Sequence, residues 1–183
     1  MNLAPLQKYY GLTLIELLIV LALAGVLFAS AIPAFSHIVA RHQQTSVLYT
    51  LFSHHQLARS EAIKTNQQVL LCKSDDGEQC TPQALWHDGW LIFSDNDHNK
   101  KVSSDEQVIY IQQALNKNLT LKYRGFGSYN YILYFPDGHS SSNGTFTLCN
   151  QYAEAYAKTL IISRTGRARI DTKEPENKEP TCI

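Results

Sequence analysis

The chain has 183 residues, of which 16 are basic and 16 acidic, so its formal net charge at neutral pH is zero. This length fits one membrane segment plus one globular domain of about 120 to 150 residues, which is large enough to bury a core. A neutral chain has no overall attraction for polyanions, so any binding of nucleic acid must depend on a local basic patch.

The N-terminal region combines a basic residue, Lys8, with an apolar stretch that begins after Gly11 and reaches Ile32. One carboxylate, Glu16, interrupts this stretch, and an acid inside a membrane helix is costly enough to indicate a function. The 21 residues from Leu12 to Ile32 would extend about 31 Å as a helix, which is enough to span a bilayer. A secretory signal peptide and a plain membrane anchor are the alternatives, but neither explains Glu16 at this position.

The string Gly11-Leu12-Thr13-Leu14-Ile15-Glu16 resembles the processing and assembly signal of type IV pilins and pseudopilins. The resemblance implies that residues 1–11 are a leader, that a prepilin peptidase cuts after Gly11, and that the new amino terminus on Leu12 is methylated. It also implies that Glu16 pairs with the amino terminus of Leu12, in its own or a neighbouring subunit, as pilins assemble into a filament. The basic leader favours a cytoplasmic start, and the resemblance implies a single span in the inner membrane and a periplasmic domain.

Residues 34–65 continue the helical periodicity as an amphipathic segment. We therefore predict one long helix from about Leu12 to Thr65, whose first half at 12–33 lies in the membrane or the filament core and whose second half lies against the globular domain. The stripe predicted to face that domain is Val47, Leu48, Leu51, His55, Ala58 and Ala62, and the polar side is Arg41, Gln43, Gln44, His54, Arg59 and Lys64.

The region from 66 to 183 is predicted to be a periplasmic β-rich domain. Short β-rich runs alternate with clusters of Gly, Asn, Asp and Ser, which is typical of antiparallel hairpins. The predicted class is α+β, with a long N-terminal helix packed on a C-terminal antiparallel sheet, as in the pilin fold. The runs are 69–72, 90–93, 108–111, 119–123, 131–135, 145–148 and 160–163.

Four cysteines lie in the part of the chain expected outside the cytoplasm, where disulfides are permitted. They allow three pairings. We favour Cys72 with Cys80, which closes a turn-rich stretch, and Cys149 with Cys182, which ties down a polar tail. A zinc site is the alternative, but neither pair has zinc-type spacing.

The strongest candidate for a binding site is the arginine-rich stretch at 164–169, Arg-Thr-Gly-Arg-Ala-Arg. A two-residue turn at Thr165-Gly166 would place Arg164 opposite Arg167, with Arg169 on the same face. Because like charges opposite one another are destabilising, such a cluster indicates an anionic ligand, and Arg makes bidentate contacts to phosphate. Lys158 extends the basic stretch.

Internal segments narrow the resemblance to the FimT/GspH branch of pseudopilins. The segment 87–95 looks like the central motif of that branch, and 144–149 and 160–169 look like its later segments. Within the last of these, the Gly-x-Arg motif resembles the DNA-binding signature of FimT-type minor pilins, which take part in DNA uptake during natural transformation. The resemblance implies that Arg167 and Arg169 contact DNA phosphates without base specificity, with Arg164 and Lys158 included by proximity.

A structural role is the competing interpretation: a minor H-type pseudopilin of a type II secretion system, near the filament tip. In that case the arginines form a solvated turn and pair with acids such as Asp171 or Glu154. Aromatic residues at 123–126 and 129–131 could stack on single-stranded bases, but strand packing is the favoured explanation for them.

Residues 95–106 place oxygen donors at positions 1, 3, 5, 9 and 12 of a calcium loop, but Lys100 stands where such a loop has Gly. The flanking runs also read as strands, so a polar hairpin loop is favoured and no metal is predicted. The sequence contains no catalytic constellation and no phosphate-cradling glycine loop. We therefore expect a binding protein without enzymatic activity or cofactor.

Overall fold

The computed structural model describes Gly11 and residues 13–152 and 157–182, apart from the side chains of residues 29–34 and 36. The described residues form one long helix and eight strands, and the strands make two antiparallel four-stranded sheets. Each of the seven β-rich runs overlaps a strand, and the predicted α+β class is confirmed. The elements are α1 (Leu14–Thr65), β1 (Val69–Lys73), β2 (Trp90–Ser94), β3 (Val108–Gln112), β4 (Leu119–Gly125), β5 (Tyr131–Tyr134), β6 (Gly144–Asn150), β7 (Lys158–Ile162) and β8 (Ala168–Asp171).

The start of α1 is set by a cap. The backbone N–H of Glu16 donates to Oγ1 of Thr13 at 3.3 Å, and the N–H of Leu17 donates to the Thr13 carbonyl oxygen at 3.2 Å. A Thr followed three residues later by Glu is typical of helix N-termini, where the acid also interacts favourably with the helix dipole. The residues that resemble an assembly signal therefore also determine where the helix begins.

The first part of α1 exposes an apolar surface. Every large apolar side chain from Leu14 to Phe28 is more than half exposed. The predicted membrane segment at 12–33 includes Leu12 and side chains from residue 29 onward that lie outside the described part. Within that part, no helix combines the length and the apolarity needed to cross a membrane. The chain divides into two compact units between Ile38 and Val39.

The main core of the second unit lies between the later turns of α1 and the inner faces of both sheets. The predicted stripe is confirmed, since its members from Leu48 to Ala62 are fully buried and Val47 is half-buried. The polar side of the helix was predicted too broadly, because Gln44 and His54 are also buried. His54 Nδ1 accepts a hydrogen bond from the Trp90 indole of the first sheet at 3.1 Å. Because the helix packs against both sheets, more of its circumference is buried than one narrow stripe.

The first sheet has the strand order β3-β2-β1-β5. Its outer face carries a small second core, to which Cys80 and Val102 contribute from the covering loops. The Cys72–Cys80 disulfide, with Cα atoms 5.6 Å apart, holds one of these loops against the face.

The second sheet has the strand order β4-β6-β7-β8, and the C-terminal tail covers part of its outer face. Glu174, in that tail, is only 8% exposed and accepts hydrogen bonds from Arg124 at 3.0 Å and from Thr147 Oγ1 at 3.2 Å. The Cys149–Cys182 disulfide fixes the tail farther along, so the structure contains both disulfides of the favoured pairing.

Unfolding should depend on the protonation of His55, whose Nδ1 contacts the Tyr134 hydroxyl in the core. Burial lowers the pKa of His55 from 6.5 to about 4, with a smaller contribution from Arg59. The folded protein thus keeps this imidazole neutral, whereas the unfolded chain takes up a proton as the pH falls below its ordinary pKa. The free energy of unfolding should therefore decrease from pH 7 toward pH 4, with His55 contributing about 3 kcal/mol of the loss.

The measurement is urea denaturation of the full chain in detergent at several pH values, for wild type and His55→Gln. The glutamine can hydrogen-bond but does not titrate, so its stability should change less with pH. Burial also lowers the pKa of His54, and the difference between the two proteins isolates His55. Identical pH dependence would contradict the assignment.

Candidate functional site

The arginine-rich hairpin joins β7 to β8. The N–H of Ser163 donates to the Arg167 carbonyl oxygen at 2.9 Å, and the N–H of Gly166 donates to the Ser163 carbonyl oxygen at 2.9 Å. The loop therefore has three residues, and the last of them, Gly166, has φ +73°, as in a hairpin with a glycine bulge. The predicted two-residue turn with Arg164 opposite Arg167 is wrong, because the loop has three residues, which shifts the register and places Ser163 opposite Arg167.

The arginines of this hairpin are exposed to solvent. Arg167 and Arg169 share the outer face of the sheet, while the residues that alternate with them pack on the main core. Among the described residues, no acid lies within 4.0 Å of the cationic groups of Arg164 or Arg167, whereas Arg169 Nε lies 3.6 Å from Oδ2 of Asp171. The predicted pairing with Glu154 falls outside the described residues.

Lys158 does not extend this surface. Its Nζ donates to Oγ1 of Thr45 on α1 at 2.8 Å, which places the side chain on the inner face of the sheet. The strand alternation that aligns Arg167 with Arg169 therefore directs Lys158 to the opposite side, and its predicted contact with DNA is not supported.

A basic residue that the sequence pattern missed, Arg59 of α1, lies beneath the hairpin tip. Its Nε donates to the Gly138 carbonyl oxygen at 2.8 Å, and a Cβ built on Gly166 would lie 2.7 Å from the same nitrogen. The N–H of Ser140 also donates to the Arg164 carbonyl oxygen at 3.0 Å. Three segments distant in sequence thus meet here, and no local signal in the helix marks Arg59 as part of the site.

An exposed aromatic ring, that of Phe126, lies at the same end of the second sheet as the arginine-rich hairpin. The N–H of Phe126, just after β4, donates to the Asn143 carbonyl oxygen at 2.9 Å, just before β6. The Phe126 side chain is 83% exposed and that of Tyr129 is 59% exposed, whereas Tyr123 packs in the core. Three strand spacings separate Phe126 from Arg167, which corresponds to about 14 Å.

The acidic loop at 95–106 belongs to the first sheet, where it joins β2 to β3. It brings carboxylate oxygens of Asp95, Asp97 and Glu106 within 4.8 Å of one another. Burial raises the pKa of Asp95, and the charges of Glu106 and Asp97 add to this rise, while the N–H of Lys100 opposes it.

The processing and assembly residues lie at the start of α1. Gly11 is exposed and Glu16 is exposed in the first turn, whereas Leu12 lies outside the described residues. Glu16 is therefore exposed to solvent in the first turn of α1, next to the capping residue Thr13.

Comparison with known proteins places these features in a family context. The chain matches the family described as type II transport protein GspH over residues 50–166, and the prokaryotic N-terminal methylation motif over residues 6–32. It is 32% identical over 165 residues to the pilin-like protein PilA1 of Thermus thermophilus, covering 88% of this chain and 97% of that protein.

Solved structures show the same fold. The type IV minor pilin FimU of Pseudomonas aeruginosa superposes with a TM-score of 0.55 and 19% identity, covering 75% of this chain and 96% of FimU. The minor pseudopilin EpsH from the type 2 secretion system of Vibrio cholerae gives a TM-score of 0.52 and 11% identity, covering 70% and 96%. Both support an N-terminal helix packed on a C-terminal antiparallel sheet.

Replacing Gly166 with Ala should displace the hairpin tip. The new Cβ would lie 2.0 Å from the Gly138 carbonyl oxygen, at a backbone φ of +73°. We expect the free energy of unfolding to fall by about 2–4 kcal/mol, because both a steric clash and a strained backbone result.

Gly127→Ala is the matched control, since Gly127 has φ +102° but its Cβ would meet nothing closer than 3.9 Å. It should cost only the backbone strain, about 1–2 kcal/mol. Denaturation followed by tryptophan fluorescence compares the two, and equal losses would contradict the close packing of the hairpin tip against Gly138 and Arg59.

Proposed function

Because the chain belongs to the GspH family of type IV minor pilins and pseudopilins, which implies membrane anchoring and association with other pilins in a filament, we propose that it is a pilus subunit that binds DNA. The proposed role is DNA uptake during natural transformation, by binding rather than by catalysis. The observation that carries the proposal is the exposure of Arg164 and Arg167 at a hairpin tip that also packs on Arg59.

The electrostatics of this tip support an anionic ligand. Nearby acids are already engaged: Asp137 Oδ2 lies 3.1 Å from Nδ1 of His139, and Asp171 lies beside Arg169. Arg167 and Arg169 share one face of the sheet, and guanidinium groups donate bidentate, charge-assisted hydrogen bonds to phosphate oxygens. A neutral chain can therefore present a locally basic surface to a polyanion.

The exposed aromatic rings support binding of a single strand. Phe126 and Tyr129 offer faces on which bases can stack, and base–aromatic stacking is tolerant of sequence. The distance of about 14 Å from Phe126 to Arg167 corresponds to about four nucleotides at the spacing of stacked bases. Backbone contacts at the arginines and stacking at the aromatics could then act on one strand without reading its sequence.

The exposed apolar surface of α1 supports the predicted route of assembly. Large apolar side chains from Leu14 to Phe28 need an apolar environment, which the inner membrane provides before assembly and other pilins provide in the filament. In this proposal the prepilin spans the inner membrane once with its domain in the periplasm, and a prepilin peptidase cuts between Gly11 and Leu12. Glu16 then pairs with the new amino terminus.

A role as an H-type pseudopilin in protein secretion competes with this proposal. The two differ in one measurable property, since only the DNA-uptake role requires the hairpin to bind nucleic acid. A protein that fails to bind DNA at low salt would leave the secretion role in place.

DNA binding is tested by fluorescence anisotropy with the full chain in detergent, using labelled single- and double-stranded DNA. Binding should weaken steeply between about 50 mM and about 200 mM salt, because neutralised phosphates release counterions. Arg167→Gln with Arg169→Gln should weaken binding about ten- to hundredfold at the lower salt and reduce the slope against log salt by about 1.5–2.

The control removes the same charge elsewhere, with Lys117→Gln and Lys178→Gln, both exposed and outside the hairpin. It should bind nearly as wild type. If the arginine double variant, with an unchanged circular dichroism spectrum, binds as tightly as wild type, the arginine assignment is wrong.

Processing is tested by mass spectrometry of the protein expressed with a prepilin peptidase. Gly11→Ala should retain residues 1–11, because the peptidase requires Gly before the cut. Gly25→Ala is the control, since its Cβ meets nothing within 4 Å and it should be cleaved normally. A Gly11→Ala protein with the mass of the mature wild type would contradict the proposed cleavage.

A further inference from the structure

The loop between β2 and β3 contains a buried carboxylate oxygen without a partner. Asp95 follows β2 directly and is 0% exposed, and its Oδ2 makes no hydrogen bond with the described residues. Buried polar atoms are nearly always satisfied in folded proteins, and an anionic one without a partner costs most. The described residues therefore leave this oxygen able to accept a further ligand.

Two further carboxylates converge on the same point. Oxygens of Asp97 and Glu106 lie, with one of Asp95, within 4.8 Å of one another. In the described part of the chain, no ion pair involves any of these three acids. The nearby Lys100 places its ammonium group 5.1 Å from the centre of the Tyr131 ring rather than in an ion pair with an acid. Three acids this close repel one another unless a cation lies among them.

The backbone already holds these acids in place. The N–H of Lys100 donates to Oδ1 of Asp95 at 3.1 Å, and Glu106 accepts from the N–H of Asn96 at 2.7 Å and of Ser103 at 3.2 Å. Asp97 accepts from the N–H of Asn99 at 3.0 Å and from its side-chain amide at 2.7 Å. Each of the three carboxylates is thus oriented by one or two hydrogen bonds and retains capacity for another ligand. Lys100 has φ +62°, so it adopts the left-handed conformation that a calcium loop obtains from glycine at this position.

We propose that this loop is a calcium site whose ligands include Asp95 Oδ2 and the carboxylates of Asp97 and Glu106. Calcium accepts six to eight oxygen ligands at about 2.3–2.6 Å, so its ligand sphere is about 4.6–5.2 Å across, whereas that of magnesium is about 4.1 Å across. Carboxylate oxygens that all lie within 4.8 Å of one another are close enough to share one calcium ion. Backbone carbonyls or water can supply the remaining ligands.

The site would fasten one loop to another on the outer face of the first sheet. Val102 exchanges hydrogen bonds with the Gln79 side chain, donating its N–H at 3.1 Å and accepting at its carbonyl oxygen at 2.9 Å. Val102 also packs on the second core beside Cys80. Calcium would therefore stabilise the loop pair around the Cys72–Cys80 disulfide, on a different sheet from the arginine hairpin and independently of DNA binding.

The test uses the full chain in detergent, stripped of metal with a chelator. Equilibrium dialysis with radioactive calcium should show one ion per chain, with a dissociation constant of about 10⁻⁴–10⁻³ M, as in extracellular modules. Adding about 10 mM CaCl₂ should raise Tm by about 4–8 °C, and the same concentration of MgCl₂ should raise it less.

Asp97→Asn with Glu106→Gln should abolish both the bound calcium and the rise in Tm. Asp95→Asn should also lose the response, but its metal-free form should melt no lower than wild type because a buried charge is removed. Asp105→Asn is the matched control, since Asp105 lies in the same loop outside the cluster and should respond as wild type. If wild type binds no calcium at this concentration, or if Asp97→Asn with Glu106→Gln shifts as much as wild type, the proposal is wrong.

Discussion

One helix has to fill the space between two sheets, and the rest of the globular unit depends on that constraint. The residues of α1 from Leu48 to Ala62 belong to a single buried cluster with side chains from both sheets. A helix in contact with two surfaces buries more than a narrow stripe, which is why Gln44 and His54 are buried as well. The same burial keeps His55 neutral against Tyr134.

Because the inner faces of the sheets form the core, the chemistry of the protein lies on outer faces and at loop ends. Each disulfide ties a segment over an outer face, Cys72–Cys80 on the first sheet and Cys149–Cys182 on the second. The arginine hairpin at 163–167 and the acidic loop at 95–106 project from this rigid framework. Such an arrangement of polar loops on a fixed scaffold is usual for binding sites, since loops can vary without disturbing the core.

The elements were predictable because their signals are local. Helical spacing of apolar residues identified α1 and its buried stripe, and β-rich runs between turn residues identified seven of the strands. The register of the arginine hairpin was not predictable in the same way, because the same sequence is compatible with a two-residue turn and with the observed three-residue loop that ends at Gly166. Lys158 illustrates the same limit: it is close to the arginines along the chain but lies on the other face of the sheet.

The sequence by itself determined the family, the delivery signal from Gly11 to Glu16 and the presence of an arginine cluster, because these depend on residue types at short spacings. Only the tertiary structure decided which charges share a surface. It brought Arg59 beneath the hairpin tip and left Asp95 buried with an unpartnered oxygen beside Asp97 and Glu106. The physical reason is that side chains become buried, and segments far apart in the chain come into contact, only when the helix and both sheets pack together.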